Sequence, residues 1–76
     1  MNIKKRLAAL RRRAANVHAR ELQGLAEAAG WVARTRGKHI TYSKPGRAPL
    51  PIPTHPGTLK AGTVRRILEQ IAEDYE

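Results

Sequence analysis

Residues 31–53 read WVARTRGKHITYSKPGRAPLPIP, and this segment determines which class of fold the chain can form. Residues 31–36 and 39–43 are predicted to form strands around a turn at Gly37, with Trp31 and Ala33 on one face of the first strand and an alternation of polar and apolar residues along the second. The intervening KPGR, residues 44–47, has proline and glycine at the central positions of a type II turn. Residues 50–53 alternate apolar residues with prolines, which cannot donate ladder hydrogen bonds and belong at a sheet edge. The segment predicts three antiparallel strands.

Helical patterns flank these strands. After them, apolar residues recur at helical spacing, at Val64, Ile67, Leu68, Ile71 and Tyr75. Before them, a shorter apolar stripe leads to Gly30, a natural left-handed helix end, and Trp31 should fold back onto the core. Two apolar stripes with nothing else to cover them should pack on one face of the sheet and leave the other face in water.

An additional basic helix is predicted over residues 1–17, because apolar residues there recur at steps of three and four with cations between them. The pattern loses its phase near residues 16–18. The predicted fold class is therefore α+β: a helix, a three-stranded antiparallel sheet and a helix, with an extra basic N-terminal helix. We assign residues 1–17 to a basic extension and residues 18–76 to the domain itself.

The composition narrows the class of function. The chain has 76 residues, enough for one small domain, and its 15 Lys and Arg against 6 Asp and Glu give a formal charge of +9, which favours polyanionic partners. The lack of cysteine excludes disulfides, thiolate zinc sites and thiol nucleophiles, and fits a cytoplasmic protein. The longest uncharged stretch, residues 48–59, is too short and proline-rich to span a bilayer. We expect no membrane association.

His39 is the leading candidate for a reactive residue. It alternates with Ile40 and Tyr42, so burial of that apolar pair turns the imidazole toward solvent. A histidine near its usual pKa of about 6.5 can take a proton from a ribose 2′-OH or give one to a leaving 5′-oxygen. Nearby cations are candidates for binding RNA phosphates: Arg34, Arg36, Lys38, Lys44 and Arg47. From these residues alone, a phosphate-binding or merely solvated histidine remains an alternative to catalysis.

Three motifs occur in one register: Ala29-Gly30-Trp31, then Arg36-Gly37-Lys38-His39, then Lys60-Ala61-Gly62-Thr63-Val64-Arg65 at the start of the last helix. Together they resemble the HicA family of bacterial toxins over about residues 18–72. The family consists of small messenger-RNA interferases with a double-stranded-RNA-binding-like fold, which are neutralised by HicB antitoxins.

The resemblance implies that His39 is the catalytic histidine of the family's Gly-x-His motif. The family usually has Ser or Asp between the glycine and the histidine, whereas this chain has Lys38, which could itself stabilise the transition-state phosphorane. The resemblance also implies a HicB-like antitoxin that covers the His39 face, and a toxin that is monomeric when free. It says nothing about residues 1–17.

Other residues could contribute to function, but each also has a structural or surface interpretation. His55 could be a second proton carrier, but a loop histidine beside a proline is more often structural. His18 fits a helix cap or a surface position. Trp31 and Tyr42 could stack on RNA bases or be buried in the core. The histidines and carboxylates lack metal-ligand spacing, so we expect no metal and no cofactor.

The basic N-terminal helix has three functional interpretations: a phosphate-binding arm, an antitoxin contact or a helix on a membrane surface. A solvated, partly ordered arm is the alternative without function.

The sequence as a whole predicts the toxin of a type II toxin-antitoxin system, a metal-independent endoribonuclease that cleaves messenger RNA with His39 as general acid or base. The alternative is a non-catalytic RNA-binding module that uses the same basic sheet face. A DNA-binding regulator is less favoured, because acidic residues offset Arg65 and Arg66 on the last helix.

Overall fold

The computed structural model describes residues 2–36, 39–54 and 57–75, without the side chains of Thr35, Arg36 and His39. Its elements in chain order are α1 (Ile3–Arg12), a short 3₁₀ helix (Ala14–Asn16), α2 (Ala19–Ala28), β1 (Val32–Arg36), β2 (His39–Ser43), β3 (Leu50–Pro53) and α3 (Ala61–Ala72). The predicted α+β class and the predicted order of elements are confirmed. The predicted turn at Gly37 lies outside the described residues.

The three strands form one antiparallel sheet in the order β1-β2-β3, so β2 is central and the proline-containing β3 is an edge strand, as predicted. Between β2 and β3, the Arg47 N–H donates to the Lys44 carbonyl oxygen at 3.0 Å. Gly46 in this turn has a φ of 77°. This is the position at which a Pro-Gly type II turn requires a positive φ, so the predicted turn is confirmed.

The helices α2 and α3 cover one face of the sheet. Tyr42 is only 1% exposed there, and Leu50 and Ile52 are completely buried. The buried side of α3 consists of Val64, Ile67, Leu68, Ile71 and Ala72. Helix α2 ends at Ala28, and Gly30 follows the C-cap residue with a φ of 96°, after which Trp31 turns back into the core with 3% of its surface exposed. The predictions for both residues are confirmed.

The basic segment before α2 belongs to the same core. Leu7 is 1% exposed, Leu10 is 5% exposed and Val17 is completely buried. Helix α1 packs mainly on α3 and also on α2. The predicted break near residues 16–18 is confirmed, since the 3₁₀ helix ends at Asn16 and His18 precedes α2. The solvated-arm interpretation is wrong, because the apolar stripe of this segment is buried.

No helix within the described ranges has the length and apolar character that crossing a membrane requires.

Candidate functional site

The face of the sheet opposite α2 and α3 carries the candidate site. The strand register aligns Arg34 of β1 with Thr41 of β2 and Pro51 of β3, and paired residues in a sheet share a face. Arg34 and Pro51 are exposed, and Thr41 is partly exposed. Val32, two residues before Arg34, is 52% exposed. This open face is therefore accessible to a large ligand.

His39 is the first residue of β2, and its backbone pairs with Arg36 on one side and Pro53 on the other. Strand alternation gives it a register position two residues from Thr41, adjacent to the Arg34 row. The side chains of His39 and Arg36 are outside the described part of the structure, and so are Lys38 and His55 entirely. The catalytic role of His39 and the RNA-binding roles of Arg36 and Lys38 stay predictions.

Lys44 and Arg47, the other predicted phosphate-binding residues, lie beyond the opposite end of β2. At about 3.3 Å per residue, the five-residue strand separates its two ends by about 13 Å. The Lys44 Nζ donates to the Ala29 carbonyl oxygen at 2.7 Å and to the Asp74 carboxylate at 2.8 Å. Arg47 forms an ion pair with the same carboxylate and a longer one, at 3.4 Å, with Glu73.

These ion pairs have an electrostatic consequence. Lys44 first, and then Arg47, hold the pKa of Asp74 below its ordinary value by donating hydrogen bonds to its carboxylate. The predicted RNA-binding cations therefore divide into two groups, with Arg34 on the open face and Lys44 and Arg47 held by carboxylates at the C-terminal end of α3.

Tyr42 and Trp31 belong to the core rather than to a base-stacking surface, since neither exposes more than 3% of its surface. The Tyr42 hydroxyl donates to the Glu27 carboxylate at 2.9 Å. Burial, followed by the hydrogen bond to Glu27, raises the pKa of Tyr42 to about 12. The tyrosine is thus a neutral hydrogen-bond donor at physiological pH. The buried Trp31 indole N–H has no hydrogen-bond partner in the described structure.

His18 is a structural residue at the start of α2. Its backbone N–H donates to the Glu21 carboxylate at 2.8 Å, so it is the N-cap, which confirms the cap interpretation. Arg13 forms an ion pair with the same carboxylate. The hydrogen bond from Arg13, and then that from His18, lowers the pKa of Glu21. This arrangement joins the segment after α1 to the first turn of α2.

The described residues include no group of three or more His, Cys, Asp or Glu side chains that could hold a metal ion.

Sequence reasoning missed the partners of the side chains that pair with carboxylates. Lys44 and Asp74 are 30 residues apart in the chain, and Tyr42 and Glu27 are 15 apart. The available signal was the charge distribution, because residues 69–76 contain four acids and no cation while the segment before them is basic. That asymmetry indicates pairing but does not identify the partners.

Comparison with curated proteins gives no match, and comparison with solved structures gives none either. The family model of the HicA toxin of bacterial toxin-antitoxin systems matches residues 19–72, from the first residue of α2 to the last of α3. The match covers well over half of the 76 residues and contains the whole sheet. Only α1 and the connection after it precede the match. With helix, sheet and helix in the predicted order, the chain belongs to the HicA toxin family of bacterial toxin-antitoxin systems.

Proposed function

We propose that this toxin is a metal-independent endoribonuclease that cleaves messenger RNA with His39 as its general acid or base. The observation that carries the proposal is the strand register. Strand alternation gives His39 a register position two residues from Thr41, next to the row of Arg34, Thr41 and Pro51 on the face opposite α2 and α3. A substrate strand can therefore approach that row directly.

The proposed chemistry needs only the imidazole of the protein and the RNA itself. A neutral imidazole takes the proton of a ribose 2′-OH, and the 2′-oxygen attacks the adjacent phosphorus. The bond from phosphorus to the 5′-oxygen breaks, and that oxygen receives a proton from the imidazolium or from water as it leaves. The products are a 2′,3′-cyclic phosphate and a free 5′-OH. Proton transfer by one positioned side chain typically contributes about 10²- to 10⁴-fold in rate.

Arg34 is the best-supported phosphate ligand among the predicted cations. It is exposed on the open face and forms no ion pair with any residue in the described ranges. An arginine binds a phosphate through two parallel hydrogen bonds, which fixes the position of the backbone. Arg36 and Lys38 extend this group in the proposal. Lys44 and Arg47 can join it only by exchanging carboxylate partners for phosphates.

The proposed protein partner is a HicB-like antitoxin that covers the same face. Support comes from the exposed apolar surface there, since Val32 is half exposed and Pro51 is exposed beside the cationic Arg34. Protein interfaces typically combine an apolar centre with a polar or charged rim. A partner on this face would exclude RNA from His39. The toxin would then act in the cytoplasm as a monomer once the antitoxin is removed.

The test is cleavage of end-labelled RNA by the purified protein in EDTA, between about pH 6 and about pH 8, which brackets the histidine pKa. We expect the parent to cut and the His39→Ala variant to bind RNA equally well without cutting. The matched control is His18→Asn, which also removes a histidine but keeps a good N-cap residue for α2. That control should cut like the parent.

Two results would overturn the nuclease proposal. If the parent binds RNA without cutting it, the protein is an RNA-binding module that uses the same face through Arg34. If His39→Ala and the parent cut at equal rates, another residue carries the reaction. His55→Ala, measured in parallel, then shows whether the second histidine is that residue.

A further inference from the structure

The outward side of α1 carries cations that the fold itself does not use. Lys5 and Arg12 are seven residues apart, or about two helical turns, so they project from the same side of α1, opposite the buried Leu7 and Leu10. They are about 10 Å apart along the helix axis. Lys4 lies beside them and is also exposed. None of these three cations forms an ion pair with a described residue.

A shallow groove continues this surface onto α3. Arg11, Arg65 and Glu69 line a cavity of about 220 Å³ where α1 packs on α3. Two cations and one carboxylate give the groove a net positive charge. The surface formed by Lys4, Lys5, Arg12 and the groove, which includes Arg65, is called the α1–α3 surface below.

We propose that the α1–α3 surface binds the sugar-phosphate backbone of RNA, as a second contact region separate from the open face of the sheet. The proposal rests on the proposed function for the identity of the polyanion. The family match starts only after α1, so this contact region would be a feature of this chain's own N-terminal segment.

The character of the surface favours a phosphate backbone over other partners. The remaining outward residues of α1 are small, Ala8 and Ala9, and the described residues expose one large hydrophobic side chain, Val32, which is on the sheet. Protein interfaces have their binding energy concentrated in a few large anchors, and α1 offers no aromatic or large apolar anchor on this side. A membrane-surface helix needs an exposed apolar side, whereas that of α1 is buried. A backbone recognised mainly by its charge needs neither feature.

The two contact regions lie on different sides of the molecule. The principal neighbours of α1 are α3 and then α2, the helices whose other sides cover the sheet. The molecule measures 30 × 28 × 20 Å, so one continuous RNA has to pass around it to reach both regions. We therefore expect the contribution of α1 to appear with long RNA and to vanish with very short RNA.

The test measures the salt dependence of RNA binding in the His39→Ala background, which keeps the RNA intact. The probe is fluorescently labelled single-stranded RNA of about 30 nucleotides, compared with one of about 6, within the range of single binding sites. Each phosphate contact contributes about −0.7 to the slope of log K against log salt. We expect Arg12→Gln to reduce the slope on the long RNA by about 0.7, and Lys5→Gln with Arg12→Gln by about 1.4.

The matched control is Arg20→Gln. It removes one exposed arginine charge from α2 and changes the net charge by the same amount as Arg12→Gln. It should leave the slope unchanged, and Arg12→Lys should restore the parent slope. Circular dichroism of every variant checks that the fold is retained.

Equal slopes for Arg12→Gln, Arg20→Gln and the parent would overturn the proposal. So would an effect of equal size on the long and the short RNA. If Arg12→Gln instead weakens binding of a polyglutamate peptide and leaves RNA binding unchanged, the surface binds acidic protein and the proposal is wrong. RNA cleavage by the unmodified chain is scored separately, so failure of the nuclease proposal does not hide the result for α1.

Discussion

Two basic regions of this toxin attach to the same helix by different means. Helix α1 attaches to α3 through buried apolar side chains, and its exposed Lys4, Lys5 and Arg12 form no ion pair with a described residue. The turn after β2 attaches to the residues just after α3 through its cations, since Lys44 and Arg47 both pair with Asp74. Because α1 is held by apolar burial, its exposed cations remain available to bind a ligand. The cations of the turn after β2 are not available in the same way, because they already pair with carboxylates.

The largest effect is expected at the apolar attachment. Replacing Leu7 with Ala removes a side chain that is 1% exposed and leaves a cavity between α1 and α3. Large-to-small changes of this kind cost about 2 to 5 kcal/mol. Urea unfolding should show this loss, whereas Lys5→Gln on the exposed side should leave the midpoint unchanged. Equal midpoints for the two variants would contradict the burial of α1 in the core.

At the ion-pair attachment we expect a smaller loss of stability, together with a gain in RNA affinity. Asp74→Asn removes the carboxylate that Lys44 and Arg47 share. We expect a decrease in melting temperature smaller than that of Leu7→Ala, together with tighter RNA binding.

The salt slope of RNA binding by Asp74→Asn should steepen by up to about 1.4, because two cations become available to phosphates. Glu73→Gln is the control, since the Glu73 side chain is 56% exposed and its one ion pair within the described residues is with Arg47, at 3.4 Å. Glu73→Gln should change the melting temperature and the salt slope less than Asp74→Asn does. Unchanged RNA affinity in Asp74→Asn would show that the two cations do not contribute to binding even when released.

Acid should weaken the ion-pair attachment selectively. The pKa of Asp74 is lowered in the folded protein, while an unfolded aspartate titrates near about 3.9. The stabilisation by Asp74 is therefore complete above about pH 5 and is lost as the pH falls through the lowered pKa of the folded protein. Urea midpoints should decline more steeply below about pH 4 for the parent than for Asp74→Asn. Parallel declines would contradict a role for Asp74.

The smallest effect is expected when added salt changes the difference in unfolding midpoint between variants. The Debye length falls from about 10 Å at 0.1 M to about 3 Å at 1 M, which screens exposed ion pairs but not apolar contacts. The difference in unfolding midpoint between the parent and Asp74→Asn should shrink over this range, while the difference for Leu7→Ala should not. A salt-independent difference for Asp74→Asn would assign its effect to something other than charge.

The features that the sequence predicted correctly are local in the chain. The apolar spacing of α3, the positive φ at Gly30 and Gly46, and the prolines of the edge strand each follow from a few neighbouring residues. The resemblance carried by three short motifs also identified the family correctly, and it supplied His39 as the candidate catalytic residue.

The features that the sequence did not predict depend on distant parts of the chain. An amphipathic basic helix has the same pattern whether its apolar side meets water, a membrane or another helix, so the packing of α1 on α3 could not be derived from residues 1–17 alone. Likewise, the partner of Lys44 depends on where the fold places Asp74, which follows α3. Local patterns specify elements, whereas contacts between elements require the assembled fold.

The joint between α1 and the rest of the chain affects how this protein should be produced and studied. The Leu59 N–H donates to the Val17 carbonyl oxygen at 2.9 Å, and His18 forms an isolated bridge with Thr58. An expression clone trimmed to the matched residues 19–72 would remove these hydrogen bonds and uncover the apolar flank of α3. We expect such a shortened toxin to aggregate, so a failed assay of it would report on folding rather than on function.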